Sequence, residues 1–349
     1  MTPATAVDLA AWPSSFGTAL APLGAAILSA LVLLLALAID RRLGEPPLPI
    51  HPVVWMGHYL KVCGWLAVRL QPALAFVAGA LAWCVGALAA GAVAWGVQAL
   101  AFSQLSAFLA APALTTAGNT ILFFLLMAWL LKCMLSWRML HDEAGAVEAA
   151  LQRSLTDGRE RLSRLVSRDT TKLDETEVRE STIESLAENL NDSVVAPIFW
   201  FVLFGLPGAA VYRFANTADA MWGYCGLRDG VDWEWAGKWA ARADDVLSWF
   251  PARLTALLLA LVAGGLRPHA LRVEAHKTPS PNSGWPMAAM ALALDVSLRK
   301  PGVYVLNPNA RAVQPADLVL AQSYALKVLV ASVLFAELAI FSIALVGWL

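Results

Sequence analysis

Charge is scarce in this 349-residue chain. Asp, Glu, Lys and Arg make up 15% of it, against 59% hydrophobic residues. An average soluble domain is about a quarter charged and roughly half apolar. The composition excludes an ordinary soluble enzyme, and equally a disordered chain, which needs high charge and low hydrophobicity. A net charge of -1 leaves no basic field for nucleic acid. The four cysteines, Cys63, Cys84, Cys133 and Cys225, stand far apart with no C-x-x-C pair. They read as small apolar residues, not as a zinc site or a disulfide framework. The five histidines are scattered and form no H-E-x-x-H. No G-x-S-x-G elbow occurs, and Gly237-Lys238 runs into Trp239 instead of the Ser or Thr of a phosphate loop. No repeat with a period of 20–50 residues is present, and strand-like alternation is rare.

The charges that do occur are unevenly placed. Nine fall in residues 1–140 and nineteen in 141–190, so the first stretch is largely lipid-facing and the next fifty residues must meet water. Four segments, 22–39, 73–100, 120–137 and 325–348, approach the ~20 apolar residues that a bilayer requires. The first lacks a basic leader and is followed by Asp40-Arg41-Arg42, so it reads as a retained span. Arg41, Arg42, Lys61 and Arg69 make 40–72 positive, while 101–119 is uncharged. The positive-inside rule then places the N-terminus and 101–119 outside, and 40–72 and 139–192 in the cytoplasm. Lys132 and Arg138 would snorkel at the inner end of the third span. Segments 194–212, broken by Pro197, Gly205, Pro207 and Gly208, and 251–266, opened by Pro251, could both span, which would turn 213–249 outward; the expectation is a broken or re-entrant pair, because the polar clusters read as one site. The expected fold is an all-α integral membrane protein with about four to six membrane helices. It forms one membrane-embedded domain over 1–349, with a cytoplasmic helical segment at 139–192 and polar, site-forming loops at 213–249 and 267–317.

Six polar clusters could carry chemistry. Asp40 to Pro47, followed by His51-Pro52 and Met56-Gly57, forms a Pro/Gly-stiffened loop under the first span, where a structural role is expected for His51 over contact with a cofactor. Arg168-Asp169-Thr170 with Lys172 and Asp174 could hold a phosphate or could end one helix and cap the next; Asp174 with Glu177 resembles a capping box. Glu180, Glu184, Glu188, Asn189 and Asp192 form a stripe on one helix face. Like charges at that spacing repel, and a divalent cation or a cationic partner relieves them; hard oxygen ligands suit Mg²⁺, which commonly also holds substrate phosphates. Arg213, Asn216, Asp219 and Gly223 share a face beside an apolar segment, where unpaired polar groups are expensive. Arg242, Asp244-Asp245, Pro251 and Arg253 form the fifth cluster. Pro279-Ser280-Pro281-Asn282-Ser283-Gly284-Trp285-Pro286, before a small-residue helix, forms the sixth.

Taken in order, these stretches resemble a known family. They read D-R-R-L-G-E-P-P with H-P-V-V-W-M-G (40–57), S-R-D-T (167–170), E-S-T-I-E-S-L-A-E-N-L-N-D (180–192), A-P-I-F-W (196–200), G-L-P-G-A-A-V-Y-R-F-A-N-T-A-D-A-M-W-G-Y (205–224), A-R-A-D-D-V (241–246), P-A-R-L-T (251–255) and H-K-T-P-S-P-N-S-G-W-P (276–286). From about 40 to 300 the chain resembles the CobD/CbiB family of cobalamin biosynthesis, the adenosylcobinamide-phosphate synthases. Three departures are small: Ser193 where the family often has Gly, Ala243 where Leu is usual, and Asp295 in a commonly glycine-rich stretch.

The resemblance implies an enzyme, an acid–amine ligase. ATP, as co-substrate with Mg²⁺, would drive amide formation between a propionate of the corrinoid adenosylcobyric acid and aminopropanol or its phosphate. On the matching positions, Glu184, Glu188, Asn189 and Asp192 would hold Mg²⁺. Arg168, Asp169, Thr170, Lys172, Arg213, Asn216 and Arg253 would bind phosphates or the corrinoid's carboxylates and carboxamides, and Ser280, Asn282 and Ser283 would bind phosphate or side-chain amides. Asp244 or Asp245 would accept the amine proton, and Asp219 is a further candidate, as ligand or in catalysis. The implied location is the bacterial inner membrane, with the site facing the cytoplasm, lipid around it and other enzymes of the pathway as partners. Two rival readings are a non-catalytic AmpE-like membrane regulator and a corrinoid transporter. The transporter reading predicts polar residues inside the spans, whereas here they crowd between them.

Overall fold

The computed structural model describes residues 13–346 except 225 and 229, with side chains from residue 23 onward. Cys225, the N-terminus expected outside and the last residues of the 325–348 span lie outside the described residues. The chain runs through α1 (Pro13–Leu43), α2 (Pro52–Ala67), α3 (Pro72–Ala110), α4 (Leu114–Met134), α5 (Trp137–Leu151), α6 (Leu155–Leu162), α7 (Glu175–Leu190) and, after a π-turn at Asn191–Val195, α8 (Ala196–Trp222). Next come β1 (Leu227–Arg228), β2 (Val231–Asp232), α9 (Lys238–Val262), α10 (Pro268–Ala275), α11 (Gly284–Leu294), β3 (Leu298–Lys300), β4 (Tyr304–Leu306) and α12 (Pro315–Val346). The all-α expectation holds apart from two small antiparallel hairpins, β1–β2 and β3–β4.

By length and apolarity six helical stretches could cross a bilayer: Leu23–Leu43, Pro72–Ala110, Leu114–Leu151, Glu175–Trp222, Lys238–Val262 and Pro315–Val346. This is a multi-pass membrane protein. The four expected spans fall in α1, α3, α4 and α12. Between α1 and α3, the short helix α2 exposes Val62, Trp65 and Leu66 on one side. Its other side packs on Trp222, whose indole donates to the Leu60 carbonyl at 3.2 Å. Gly64 makes that approach possible, since a Cβ there would meet the indole nitrogen at 2.4 Å.

The stretch 194–212 doubles back on itself, the geometry a re-entrant segment needs. At Gly205 the backbone takes φ 67°, ψ -156°, a left-handed conformation that favours glycine. The Arg213 guanidinium consequently reaches Ser193 Oγ at 3.2 Å, although 20 residues separate them; a straight helix would hold them about 30 Å apart. So α8 is a helical hairpin: its first arm, from Ala196 to the break at Gly205, rises only about 14 Å, too short to cross the hydrocarbon layer of about 30 Å, and its second arm brings the chain back. The turn exposes backbone polar groups that lipid cannot satisfy. Gln98 of α3 meets that need, its Oε1 accepting the Leu206 N–H at 2.7 Å.

The second expected break does not occur. α9 runs unbroken through Pro251. Proline deprives the carbonyl four residues earlier of its helical donor. That carbonyl belongs to Leu247, and the Trp200 indole donates to it at 3.1 Å. The polar stretch 213–249 is therefore mostly helix, with its irregular part confined between Trp222 and Lys238.

Lys132 does not snorkel. It is fully buried and paired with Asp40 (3.3 Å) and Glu45 (2.9 Å). Asp40 also accepts the Arg138 backbone N–H at 2.8 Å. A buried ammonium costs several kcal/mol unless opposed by charge, and two carboxylates from the 40–45 turn oppose this one. Arg138 stays partly exposed, donating to the Arg42 carbonyl and to Asp142.

Because the α8 hairpin returns to its starting face, Thr171 and Asp232 belong on the same side of the membrane. Single cysteines at these two exposed positions are expected to react with an impermeant maleimide from one common side; labelling from opposite sides would mean that α8 crosses.

Candidate functional site

The acidic stripe on α7 is resolved by unequal pairing. Glu180 is neutralised by Arg299, whose guanidinium lies 3.1 Å away and whose backbone N–H donates at 3.2 Å. Glu184 accepts from Arg168 at 2.9 Å, yet its other oxygen, Oε1, is buried without a hydrogen-bond partner. Glu188 has no hydrogen bond of its own among the described residues and faces Asp192 one turn on, with Lys300 and Arg168 nearby. Arg179 pairs with Glu148 and Glu175 instead of the stripe. The N-terminus of α7 carries the expected reciprocal cap, Asp174 and Glu177 each accepting the other's backbone N–H at 2.8 Å.

These residues open into a cavity of ≈ 320 Å³. Arg168, Glu184, Ser185, Glu188 and Asn189 form one wall, Ser280 and Ser283 another, and Lys300 with Tyr304 a third. Three clusters distant in sequence therefore meet in one place. Ser280 Oγ accepts the backbone N–H groups of Asn282 and Ser283, both at 3.2 Å, which shapes the turn. Burial and the Glu184 carboxylate hold the Tyr304 phenol well above its ordinary range, so it is a proton donor. Lys300 and Tyr304 come from the β3–β4 hairpin, and no motif in the sequence marks them, because nothing in a Lys-Pro-Gly turn announces where the hairpin will dock.

Beside the cavity lies a buried acidic cluster. Asn216 of the returning α8 arm lies within hydrogen-bonding range of both Asp192 and Asp244. Asp219 faces Asp192 and Asp245. Tyr212 bonds Ser248 at 3.1 Å. Asp244 Oδ2 accepts from Ser248 at 3.4 Å, leaving Oδ1 buried and unpartnered. Arg213 donates to Ser193 and Ser136, and its Nε is likewise unpartnered. Tyr212 and Ser248 are further residues that a search for charged motifs passes over.

Other expected ligands serve the scaffold. Arg253 donates to the Asn282 side chain at 2.9 Å and to the Pro281 carbonyl, and lies over Trp249 and Trp285. Asn282 in turn donates to the Asp245 carbonyl at 2.7 Å. Together they clamp the 279–286 turn onto α9. Thr170 is buried and donates to the Arg159 carbonyl. Asp169 caps the same turn through the hydroxyl and N–H of Thr171, which hold its carboxyl below the ordinary carboxylate range. Lys172 is exposed and does not line the cavity. Of the second cluster, only Arg168 reaches the site. His51 is structural as expected, joined to Glu45 at 3.1 Å.

The donor set can be tested against Mg²⁺. Among the described residues no three acidic, histidine or cysteine side chains form a ready-made metal cage. Mg²⁺ rarely uses one; it takes one or two carboxylates together with water and substrate phosphate. In the cavity the unpartnered Glu184 oxygen and the unbonded Glu188 carboxylate, one turn apart on α7, fit such a site. Arg168 and Lys300 supply the cations that a polyphosphate needs beside it.

A family model for the CobD/CbiB protein matches residues 33–326. The chain is 42% identical over 274 residues to a probable cobalamin biosynthesis protein CobD of Thermococcus kodakarensis, covering 78% of this chain and 83% of that one. It is 35% identical to the cobalamin biosynthesis protein CobD of Dehalococcoides mccartyi (82% and 89% covered) and 42% identical to that of Chromobacterium violaceum (77% and 81%). No solved structure matches it.

Two outcomes follow from the pairing. Arg168→Met removes the direct ion pair of buried Glu184, leaving Lys300 and Tyr304 near it, and should cost about 1–3 kcal/mol of stability, with Arg168→Met/Glu184→Gln recovering part of the loss; thermal unfolding in detergent measures both. For Glu45, burial raises the pKa, but the His51 hydrogen bond and Lys132 outweigh it and hold the carboxyl below its ordinary 4.5. Its contribution is therefore present above that value and lost as pH falls through the folded pKa. The stability gap between wild type and Glu45→Gln should narrow on acidification; a gap that widens contradicts the assignment.

Proposed function

The chain belongs to the CobD/CbiB family, and on that premise we propose that this cobalamin-biosynthesis protein is an ATP-dependent amide ligase. It joins a propionate carboxylate of adenosylcobyric acid to aminopropanol or its phosphate, giving adenosylcobinamide or its phosphate. The observation that carries the reading is the cavity in which Arg168 and Lys300 face Glu184 and Glu188, with the unpartnered Asp244 carboxylate close by. Cations, hard oxygen ligands and a free base are the three requirements of phosphoryl transfer followed by amine attack.

A carboxylate is a poor electrophile. In the proposed sequence its oxygen attacks the γ-phosphorus of ATP, ADP leaves and a carboxyl phosphate forms. The amine then attacks the carbonyl carbon, inorganic phosphate leaves and one proton is released. Arg168 and Lys300 bind the polyphosphate, and Ser280 and Ser283 hydrogen-bond its oxygens. Glu184, Glu188 and Asp192, with Asn189 beside them, would hold Mg²⁺, which when bound neutralises charge on the transferring group. Asp244 Oδ1 accepts the amine proton, while Asn216 orients the Asp244 and Asp192 carboxylates. Asp219 and Asp245 set the field around Asp244, and Arg213 receives a carboxylate or carboxamide of the corrinoid. Arg253 and Asn282 act through the turn that they clamp. The site opens to the cytoplasm and the protein resides in the bacterial inner membrane, an orientation supported by the positive 40–72 segment.

Purified full-length protein supplied with adenosylcobyric acid, aminopropanol phosphate, ATP and Mg²⁺ should release ADP and form the amide. Glu188→Gln and Asp244→Asn should each lower turnover by about 10²–10⁴ while unfolding in detergent at an unchanged temperature. Wild-type protein that imports corrinoid into proteoliposomes without turning over ATP would overturn the ligase reading in favour of transport.

A further inference from the structure

The largest of the cavities described lies away from the site above. It measures ≈ 830 Å³ and sits where the C-terminal end of α1, the start of α5 and the first half of α12 meet. It has two zones. Leu37, Leu326, Leu329 and Val330 form a lower wall inside the apolar α1 and α12 spans. Arg41, Arg42 and Arg138 ring its mouth at the end of α1.

The mouth carries unsatisfied positive charge. Among the described residues the guanidinium groups of Arg41 and Arg42 have neither a hydrogen bond nor an ion pair, and both residues are exposed. Arg138 is shared between the Arg42 carbonyl at 3.1 Å and Asp142 at 3.3 Å. The Asp142 carboxylate, itself exposed, is the sole acid lining the groove, and it also lies 3.6 Å from His141 Nδ1. Three arginines against one carboxylate leave the rim cationic at any pH near neutrality. Trp137 lines the junction of the zones, its ring 5.5 Å from His141, at the depth where indoles favour a membrane interface.

An apolar trough within the spans, capped by a cationic rim at the interface, has the two-part chemistry of a phospholipid: acyl chain below, phosphate above. A zwitterionic lipid neutralises its own phosphate, whereas a lipid with net negative charge answers the surplus arginines. We propose that this groove is a binding site for one anionic phospholipid. The site is independent of the ligase reading and shares none of its residues. It gives a role to the Arg41-Arg42 pair of the 40–57 motif, which the ligase site does not use.

The test is native mass spectrometry of the detergent-purified full-length protein, offered phosphatidylglycerol or phosphatidylcholine at equal concentration. Phosphatidylglycerol should be retained and phosphatidylcholine lost. Arg41→Gln/Arg42→Gln removes two exposed charges and should weaken retention about 25-fold, at about fivefold per charge near a membrane surface. Leu326→Glu places an acid in the acyl trough and should abolish retention with the arginines intact. Equal retention of the two lipids overturns the proposal, as does a double arginine variant that binds like wild type. Displacement of the lipid by excess inorganic phosphate also overturns it, by identifying a site for free anions. Should either variant unfold, the comparison of the two lipids on wild-type protein decides alone.

Discussion

Hydrocarbon offers no hydrogen bonds, and the reversal at Gly205 depends on the ways this chain works around that fact. The turn opens a helix inside the bilayer, which is tolerable only because Gln98 accepts the freed Leu206 N–H. Nearby, Trp200 takes over the carbonyl that Pro251 leaves without a donor. With those debts settled locally, α8 returns to the face it left. Ser193 meets Arg213, and Asp192 meets Asn216. Without the reversal the acidic end of α7 and the polar end of α8 would lie on opposite sides of the membrane. The candidate site is thus a product of backbone satisfaction in lipid before it is a product of side-chain chemistry.

The site is also asymmetric in its charge pairing. Along one helix face the carboxylates pass from a closed ion pair at Glu180, through a half-open one at Glu184, to Glu188, which has none among the described residues. The closed end fixes the β3–β4 hairpin by its Arg299, and that in turn sets Lys300 and Tyr304 over the cavity. A single stripe therefore both assembles the walls and leaves ligand capacity at its far end. Arg253 and Asn282 do comparable work on the opposite wall, holding the serine turn against α9.

Much of this was legible in the sequence, and the failures share a cause. Charge density separated the lipid-facing first third from the wet segment that follows, and prolines and glycines at 197–208 announced the broken helix. Residue type and helical spacing brought Arg168, Glu184, Glu188, Ser280 and Ser283 forward as candidates, and they do share a cavity. Periodicity reports which face a side chain is on, but not what lies opposite. Lys132 therefore read as a snorkelling residue when Asp40 and Glu45 were waiting for it, and Arg253 read as a ligand for phosphate when its partner was Asn282. Pro251 looked like a break because the indole that compensates for it lies far away in the chain. Asp295 is instructive in the other direction: it departs from a glycine-rich pattern yet keeps the left-handed φ of 49°, a conformation that Asp tolerates better than most residues.

The Lys132 ion cluster has a consequence for the order in which the protein is made. Asp40 and Glu45 leave the ribosome well before Lys132, so the counter-charges already stand at the membrane when the third apolar stretch arrives. An ammonium that is costly to bury alone has its acceptors supplied by a segment made earlier. The cluster thereby ties the register of α4 to the end of α1, because any other alignment of the two helices would leave a buried ammonium without its carboxylates.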